Sequence, residues 1–536
     1  MLRFLAKKLH FLQLLSQNSE DKQESKSRES SQTSLSRDIT QNLKVLKDIL
    51  GPSNDINIRE FSFGYEEKVD AAIIFVDGMV EKTTINESII KPLMYDSHLF
   101  TPKESQTITT SIDLIQRSMI SVGDVKKVDS FDELVDDCLY GDTVLLIDGS
   151  HEALVISTKG WESRGVQEPK TEAVVRGPRE GFTETLRTNT TLLRRKIRDP
   201  NFIFESMQLG QRTKTSVCLA YIKGIVNPKL VEEVRRRLKR IKTDAILESG
   251  YIEEFIEDAP FSPFATVANS EKPDVIAAKL LEGRVAILVD GTPMVLTVPM
   301  LFIESFQSAE DYYSRPYYAS LIRTLRFIAY TITILAPAVY VALTTYHQES
   351  IPTPLLITMA AAREGTPFPA IVEALMMGTI YEILWEAGIR LPRPVGSAIS
   401  IVGALVIGES AVSAGLIGAP MVIVVALTAI ASFVVPAQSD TATMLRFVLT
   451  VFASVLGAFG IMIVLLGVLI HLSALRSFGT PYFSPLAPLS PRDLKDVFAR
   501  VPLWAMFTRP RTIGWHDPQR QEFRLDPHPP PEESEK

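Results

Sequence analysis

One stretch of this chain is written for a different solvent from the rest. Between Leu321 and Leu475 only 13 of 155 residues are Asp, Glu, Lys or Arg, whereas the other 381 residues carry 106. A helix needs about 20 mostly apolar residues to cross a bilayer core of roughly 30 Å. Five apolar runs of that order can be drawn: Leu325 to Tyr346, Pro367 to Ala387, Ser397 to Gly415, Leu416 to Pro436 and Phe447 to Leu475. Averages over all 536 residues (46% hydrophobic, 22% charged, net charge −7) conceal the split. They still exclude collagen-like, wholly disordered and disulfide-stapled chains.

Positive charge sets the expected orientation. Arg315, Arg323 and Arg326 stand at the N-terminal flank of the apolar stretch, and Arg476, Arg492, Lys495, Arg500, Arg509 and Arg511 follow it. Both ends are therefore expected on the cytoplasmic side, which demands an even number of crossings. Five full crossings would be odd, so at least one run is expected to be re-entrant or interfacial.

The few charges inside the stretch are informative, because an intramembrane carboxylate is costly and is a functional candidate by default. Thr366 as N-cap and Pro367 as first helical residue would open a helix carrying Glu373, Glu382 and Glu386. At helical spacing Glu382 and Glu386 share a face, beside Tyr381, Trp385 and Arg390, and are expected to snorkel at an interface. Glu373 points the other way, toward other helices or a watery path. Ser397 to Pro436 holds one charge in 40 residues, Glu409, followed by Ser410 and set among Gly396, Gly403, Gly408, Gly415 and Gly418. Small residues let backbones approach. Glu373, Glu409 and Ser410 are the candidates for a permeation path or gate, with a structural interhelical hydrogen bond as the plainer role for Glu409. The Gly415 to Pro420 break suits either a tight turn or a re-entrant hairpin.

The charged part is organised by repetition. Lys68 to Val80 (KVDAAIIFVDGMV) parallels Lys214 to Val226 (KTSVCLAYIKGIV), and Asp132 to Ser157 parallels Asp274 to Pro299, with Gly141 answering Gly283 and Asp148-Gly149 answering Asp290-Gly291. Each copy reads as buried strands joined by a helix and an Asp-Gly hairpin turn. The expected fold class is an α/β soluble N-terminal domain duplicated into two related subdomains, followed by an all-α multi-pass transmembrane domain. The expected boundaries are 1–57 for an amphipathic N-terminal helix and disordered tether, 58–165 for the first subdomain and 166–213 for a linker with a basic helix. The second subdomain takes 214–310, the transmembrane domain 311–480, and a Pro-rich cytoplasmic tail 481–536.

Several functions are argued against. Basic clusters at Arg194 to Lys196 and Arg235 to Lys242 lack interleaved aromatics and sit in an acidic protein, so a nucleic-acid partner is not expected; they read as a solvated or subunit-facing surface, or a contact with anionic lipid. Cys138 and Cys218 have no CxxC partner and no Cys/His cluster, so neither a metal site nor any cofactor is expected, and the thiols read as buried and inert. No P-loop, GxSxG or HExxH motif is present, and no enzyme activity is expected.

Taken in order, the motifs resemble those of the spore germinant receptor A subunits (the GerA type). They are Glu168-Pro169 with Arg176, Gly177, Pro178, Arg179, Glu180, Gly181, Phe182 and Asn189; Asp311, Tyr312 and Tyr313 with Arg315-Pro316; Arg323 to Arg326; Tyr340 to Leu343 with His347-Gln348; Arg363-Glu364-Gly365 with Pro367 to Pro369 and Glu373; Glu386 to Gly388 with Pro392; and Ile401 to Glu409. The resemblance covers Ile58 to Arg511. It implies a multi-pass protein of the spore inner membrane that works beside a permease-like B subunit and a lipoprotein C subunit, surrounded by lipid. It also implies a homo-oligomer forming a nutrient-gated cation channel that triggers germination. The alternative implied by the same resemblance is a non-conducting signalling or assembly subunit, or a paralogue associated with the dipicolinate channel.

Overall fold

The computed structural model describes residues 34–64, 69–95, 112–160, 168–169, 172, 174–390, 408–513 and 519–521. The expected N-terminal amphipathic helix, most of the tether, Pro392, the first part of the Ser397 to Gly415 run and the end of the tail lie outside these residues.

Two five-stranded antiparallel sheets form the charged part. Strands β1 (Ile56–Phe63), β2 (Val69–Val76), β3 (Val125–Val128), β4 (Thr143–Ile147) and β5 (Ala153–Ile156) pair in the order β1-β2-β4-β5-β3. Strands β6 (Phe202–Leu209), β7 (Thr215–Ile222), β8 (Ala268–Ser270), β9 (Val285–Val289) and β10 (Val295–Val298) pair as β6-β7-β9-β10-β8, the same order position for position. The continuous apolar runs make central strands buried on both faces, with successive side chains feeding opposite cores. In the first unit Ala72, Ile74, Val144 and Leu146 pack under helices α1 (Ile39–Leu50) and α3 (Phe131–Leu139). Their neighbours Ala71, Ile73, Leu145 and Ile147 face the other side, toward Ile89 and Leu93 and helix α2 (Ile112–Ser118). In the second unit Val217, Leu219 and Ile287 face α5 (Pro228–Arg240) and α6 (Ser249–Ile256), while Cys218, Ala220 and Leu288 face α4 (Leu186–Lys196) and α7 (Pro273–Leu281).

The shared architecture begins earlier than the landmarks in the sequence. Asp148 accepts a hydrogen bond from the first amide of α1 (Ile39 N, 3.2 Å), and Asp290 accepts one from the first amide of α4 (Leu186 N, 3.0 Å). Gly149 N–H reaches Arg37 O at 2.8 Å and Gly291 N–H reaches Glu184 O at 2.7 Å. Both hairpin glycines sit at positive φ, 84° and 91°, where a Cβ would be strained. Helix α1 and helix α4 therefore occupy one position in two copies of the unit.

After the short helix α8 (Glu310–Tyr313) the chain becomes helical: α9 (Pro316–Thr345), α10 (Thr353–Arg363), α11 (Ala370–Arg390), α12 (Gly408–Ser413), α13 (Ala419–Ser432), α14 (Ser439–Leu456) and α15 (Ala458–Ala474). Among the described residues two helical stretches are long and apolar enough to cross a membrane, Pro316–Thr345 and Pro436–Leu456; Ala419–Ser432 and Ala458–Ala474 are shorter apolar helices. Two apolar runs differ from their reading in the sequence. Phe447 to Leu475 is not one span: it breaks at Gly457, whose φ of 61° ends α14, and a Cβ there would lie 2.9 Å from His347 Nε2. Leu416 to Pro436 holds a helix of 14 residues, because Pro436 cannot continue it. The proline-rich stretch after 480 is partly folded, with Val497 and Ile513 buried against Leu301 and Ile303.

Candidate functional site

Helix α11 begins at Ala370 and not at Pro367. Phe368 precedes Pro369, and a proline ring disfavours the helical conformation in the residue before it. Thr366 does not cap α11; its hydroxyl and N–H turn back to Arg363 O at 2.9 and 3.0 Å, closing the end of α10. Glu373 N–H donates to Pro369 O at 3.2 Å, so the Glu373 carboxylate lies in the first turn of α11, where the helix dipole favours negative charge.

Glu373 is fully buried, at 0% exposure. Arg363 Nη2 stands 3.6 Å from Oε1, and the Gly418 N–H donates to Oε2 at 3.4 Å. Both contacts are long. Glu373 Oε1, Arg363 Nε and Tyr340 Oη are buried without a hydrogen-bond partner among the described residues. Gly418 permits the approach, since a Cβ there would lie 3.1 Å from Arg363 Cγ. The site is thus a dehydrated carboxylate balanced by one guanidinium and a helix end, with polar atoms in reserve. A carboxylate held only by long contacts is less fully compensated than one locked in a short bidentate pair.

The other carboxylates fall elsewhere. Glu409 and Ser410 are exposed on α12, and neither is joined to Glu373 by a hydrogen bond or ion pair. The Gly415 break is a tight turn: Leu416 N–H and Ala414 N–H reach back to Ala411 O and Ser410 O, and a Cβ on Gly415 would lie 3.3 Å from Gly365 O. Glu382 does not snorkel. It pairs with Arg446 of α14, which is 5% exposed, and accepts from Thr443 at 3.3 Å. Glu386 pairs with Arg390 one turn on, at 2.5 Å, and both are exposed.

The motif residues gather where the second sheet unit meets the base of α9. Val175 and Arg176 N–H groups donate to Glu310 Oε1 at 2.5 and 3.1 Å, and Gly177, at φ 141°, lies against the Tyr313 ring so closely that a Cβ would be 2.7 Å from it. Pro178 O accepts from the buried Lys272 ammonium at 3.1 Å. Gly181 is buried, and Phe182 enters the core of the second unit beside Leu192 and Ile276. Asn189 folds the following loop onto itself through Thr183. Tyr313 donates to Asp274 at 2.5 Å. Asp311, 2% exposed, accepts from Arg323 Nη2 at 3.1 Å and from Arg326 Nη1 at 2.8 Å. Arg323 also donates to Asp496 Oδ1 at 2.8 Å, and Tyr312 donates to its Oδ2 at 2.7 Å. The residue types are those such a junction needs, since a buried guanidinium has to be met by carboxylates and carbonyls on several sides.

Arg323, Arg326 and Arg194, which stand in the sequence as flanking or surface positive charge, are paired in the fold. Arg323 and Arg194 are each 0% exposed, and Arg194 joins the two sheet units by donating to Asp55 from Nε at 2.9 Å and Nη2 at 3.0 Å. In the second basic helix Arg235 pairs with Glu205 at 2.8 Å and Arg237 with Asp258 at 2.6 Å, while Arg236, Lys239 and Arg240 are exposed. Helical periodicity in α4 places Arg194 on the side of Leu193 and Ile197, the one signal that could have marked it as inward. Burial pushes the thiols of Cys138 and Cys218 up to about 12, so both are inert at neutral pH.

Comparison with known proteins places this arrangement in a family. The family model described as Bacillus/Clostridium GerA spore germination protein matches residues 44–512, and the chain belongs to that family of germinant receptor A subunits involved in spore germination. It is 48% identical over 497 residues to spore germination protein KA of Bacillus subtilis (strain 168), covering 92% of this chain and 90% of that one. It is 42% identical over 477 residues to spore germination protein GerLA of Bacillus cereus, covering 89% and 95%. A crystal structure of the N-terminal domain of the A subunit of the Bacillus megaterium spore germinant receptor GerK3 aligns at 38% identity and a TM-score of 0.40, over 50% of this chain and 97% of that one.

Proposed function

We propose that this protein is the A subunit of a nutrient germinant receptor in the spore inner membrane, that copies of it assemble into a cation channel, and that opening of the channel starts germination. The observation that carries the reading is Glu373, a carboxylate with no exposed surface among apolar helices and no short hydrogen bond to hold it. In this reading Glu373 attracts a monovalent cation by displacing the loose Arg363 contact, while the exposed Glu409 and Ser410 face the path from the neighbouring helix. A permease-like B subunit and a lipoprotein C subunit supply the nutrient signal. The signal enters the sheet units and reaches α9 through the Gly177–Tyr313 and Asp311–Arg323 contacts. No cofactor and no catalysed reaction are needed, and both chain ends lie on the cytoplasmic side of a multi-pass bundle.

The test is conductance of the purified full chain in planar bilayers, alone and with its partner subunits, for wild type, Glu373→Gln and Glu409→Gln. A changed cation selectivity or open probability in Glu373→Gln is expected. Unchanged behaviour in both variants rejects the site, and absence of conductance with every partner present favours the non-conducting signalling subunit.

A further inference from the structure

The loop Ala259 to Phe264 of the second sheet unit carries one aromatic that the fold does not use. Phe264 is buried, its ring 6.0 Å from Phe302 and 6.1 Å from His471. Three residues earlier Phe261 is 100% exposed. Proline at 260 and 263 restricts the backbone on either side of it. The loop is pinned to the ends of two apolar helices: Ser262 Oγ is 2.8 Å from His471 Nε2, in the last turn of α15, and Thr441, in the first turn of α14, donates to Pro263 O at 2.5 Å.

Its level along the third helix is fixed by aromatic contacts. Phe302, which meets Phe264, lies 6.4 Å from Tyr330, and its neighbour Phe306 stacks on Phe327 at 4.2 Å. Phe327 and Tyr330 belong to the first two turns of the apolar run that starts at Leu325. The loop thus stands at the height where the apolar surface of the helices begins. Exposing a phenylalanine to water forgoes the transfer free energy of its ring, and aromatic side chains concentrate at the boundary between hydrocarbon and headgroups.

We propose that Phe261 is a membrane wedge: it inserts into the boundary layer of the bilayer and seats the second sheet unit on lipid beside α14 and α15. The flanking residues Glu254, Glu257 and Asp258 are acidic, so the partner is the acyl and glycerol zone of the lipid, not a negative headgroup. The inference rests on the reading of α9, α14 and α15 as membrane helices.

Spin labels at Phe261→Cys, Ile328→Cys and Glu60→Cys in full-length protein, reconstituted in phosphatidylcholine vesicles, test it by collision with oxygen, which partitions into lipid, and with a nickel chelate, which stays in water. Ile328 is half exposed on α9 and reports whether that helix is in lipid, while Glu60 lies on the edge strand β1 and reports water. The buried native Cys138 and Cys218 are protected from labelling. The expected result is an oxygen-to-nickel ratio at 261 several-fold above that at 60 and approaching that at 328. A water-like ratio at 261 with a lipid-like ratio at 328 overturns the wedge alone, and a water-like ratio at both overturns the membrane reading with it. Shielding of 261 from both reagents means that protein covers it, and also overturns the wedge.

Discussion

Asn42 and Asn189 make the same pair of hydrogen bonds in the two halves of the soluble region. Asn42 Oδ1 accepts from Ser36 N at 2.8 Å while its Nδ2 donates to Ser36 O at 2.6 Å; Asn189 does the same with Thr183, at 2.8 and 2.6 Å. Each amide closes the loop that enters the first helix of its unit and leaves no buried polar atom idle. Aspartate would lose the donor and alanine both groups.

Asn189→Ala is therefore expected to destabilise the second unit by about 1 to 3 kcal/mol, the cost of leaving a buried amide and carbonyl unpaired. Hydrogen exchange on the full chain in detergent measures it, with protection lost first around Thr183 and α4. Asn42→Ala should produce the matching loss around Ser36 and α1, and unaltered exchange in either loop contradicts the shared role.

The buried Arg194–Asp55 pair, with side chains 1% and 3% exposed, bridges the units beside the Arg187–Asp77 pair. Removing one partner strands a buried charge, so Arg194→Met or Asp55→Asn should each cost about 3 to 5 kcal/mol, and the double variant much less than the sum. Chemical denaturation of the four proteins completes the cycle. Additive losses would mean that the two residues act independently.

Glu253 gives the soluble region a dependence on pH. Burial, with Glu257 and Glu248 nearby, pushes its carboxyl up to about 7 from an ordinary 4.5, against a weaker opposite pull from Asn269. Between those values the folded chain holds a proton that the unfolded chain has released. Its contribution to stability is therefore complete below the ordinary value and is lost as pH rises through about 7. The melting temperature of the wild type should fall more between about pH 4 and about pH 8, which bracket the ordinary and the raised value, than that of Glu253→Gln. Parallel pH profiles would exclude Glu253 as the source.

What was legible in the sequence follows from what local physics dictates. Gly78, Gly141 and Gly149 stand out because positive φ requires them, and their counterparts Gly224, Gly283 and Gly291 repeat at φ 90°, 99° and 91°. Helices α1 and α4 escaped pairing because their shared feature is one asparagine and a cap supplied by a distant Asp-Gly turn. The Gly457 break was hidden because hydropathy does not register a single turn between two apolar helices. Arg194 looks solvated because Asp55 lies 139 positions away, and the second carboxylate of Arg323, Asp496, lies 173 away, both beyond any local pattern. Helical spacing sets Glu373 apart from Glu382 and Glu386, but its contact Gly418 lies 45 positions on and, as a glycine, carries no side chain to advertise the approach.

The distance from Arg323 to Asp496 also orders events in time. Asp311 is at hand as soon as α9 is made, but the second carboxylate that Arg323 needs arrives 173 residues later. Synthesis proceeds at about 5 to 20 residues per second, so the base of α9 spends on the order of ten seconds with its arginine only half neutralised. Any earlier settling of that helix is provisional, because the segment around Asp496 that fastens it is made only after α10 to α15.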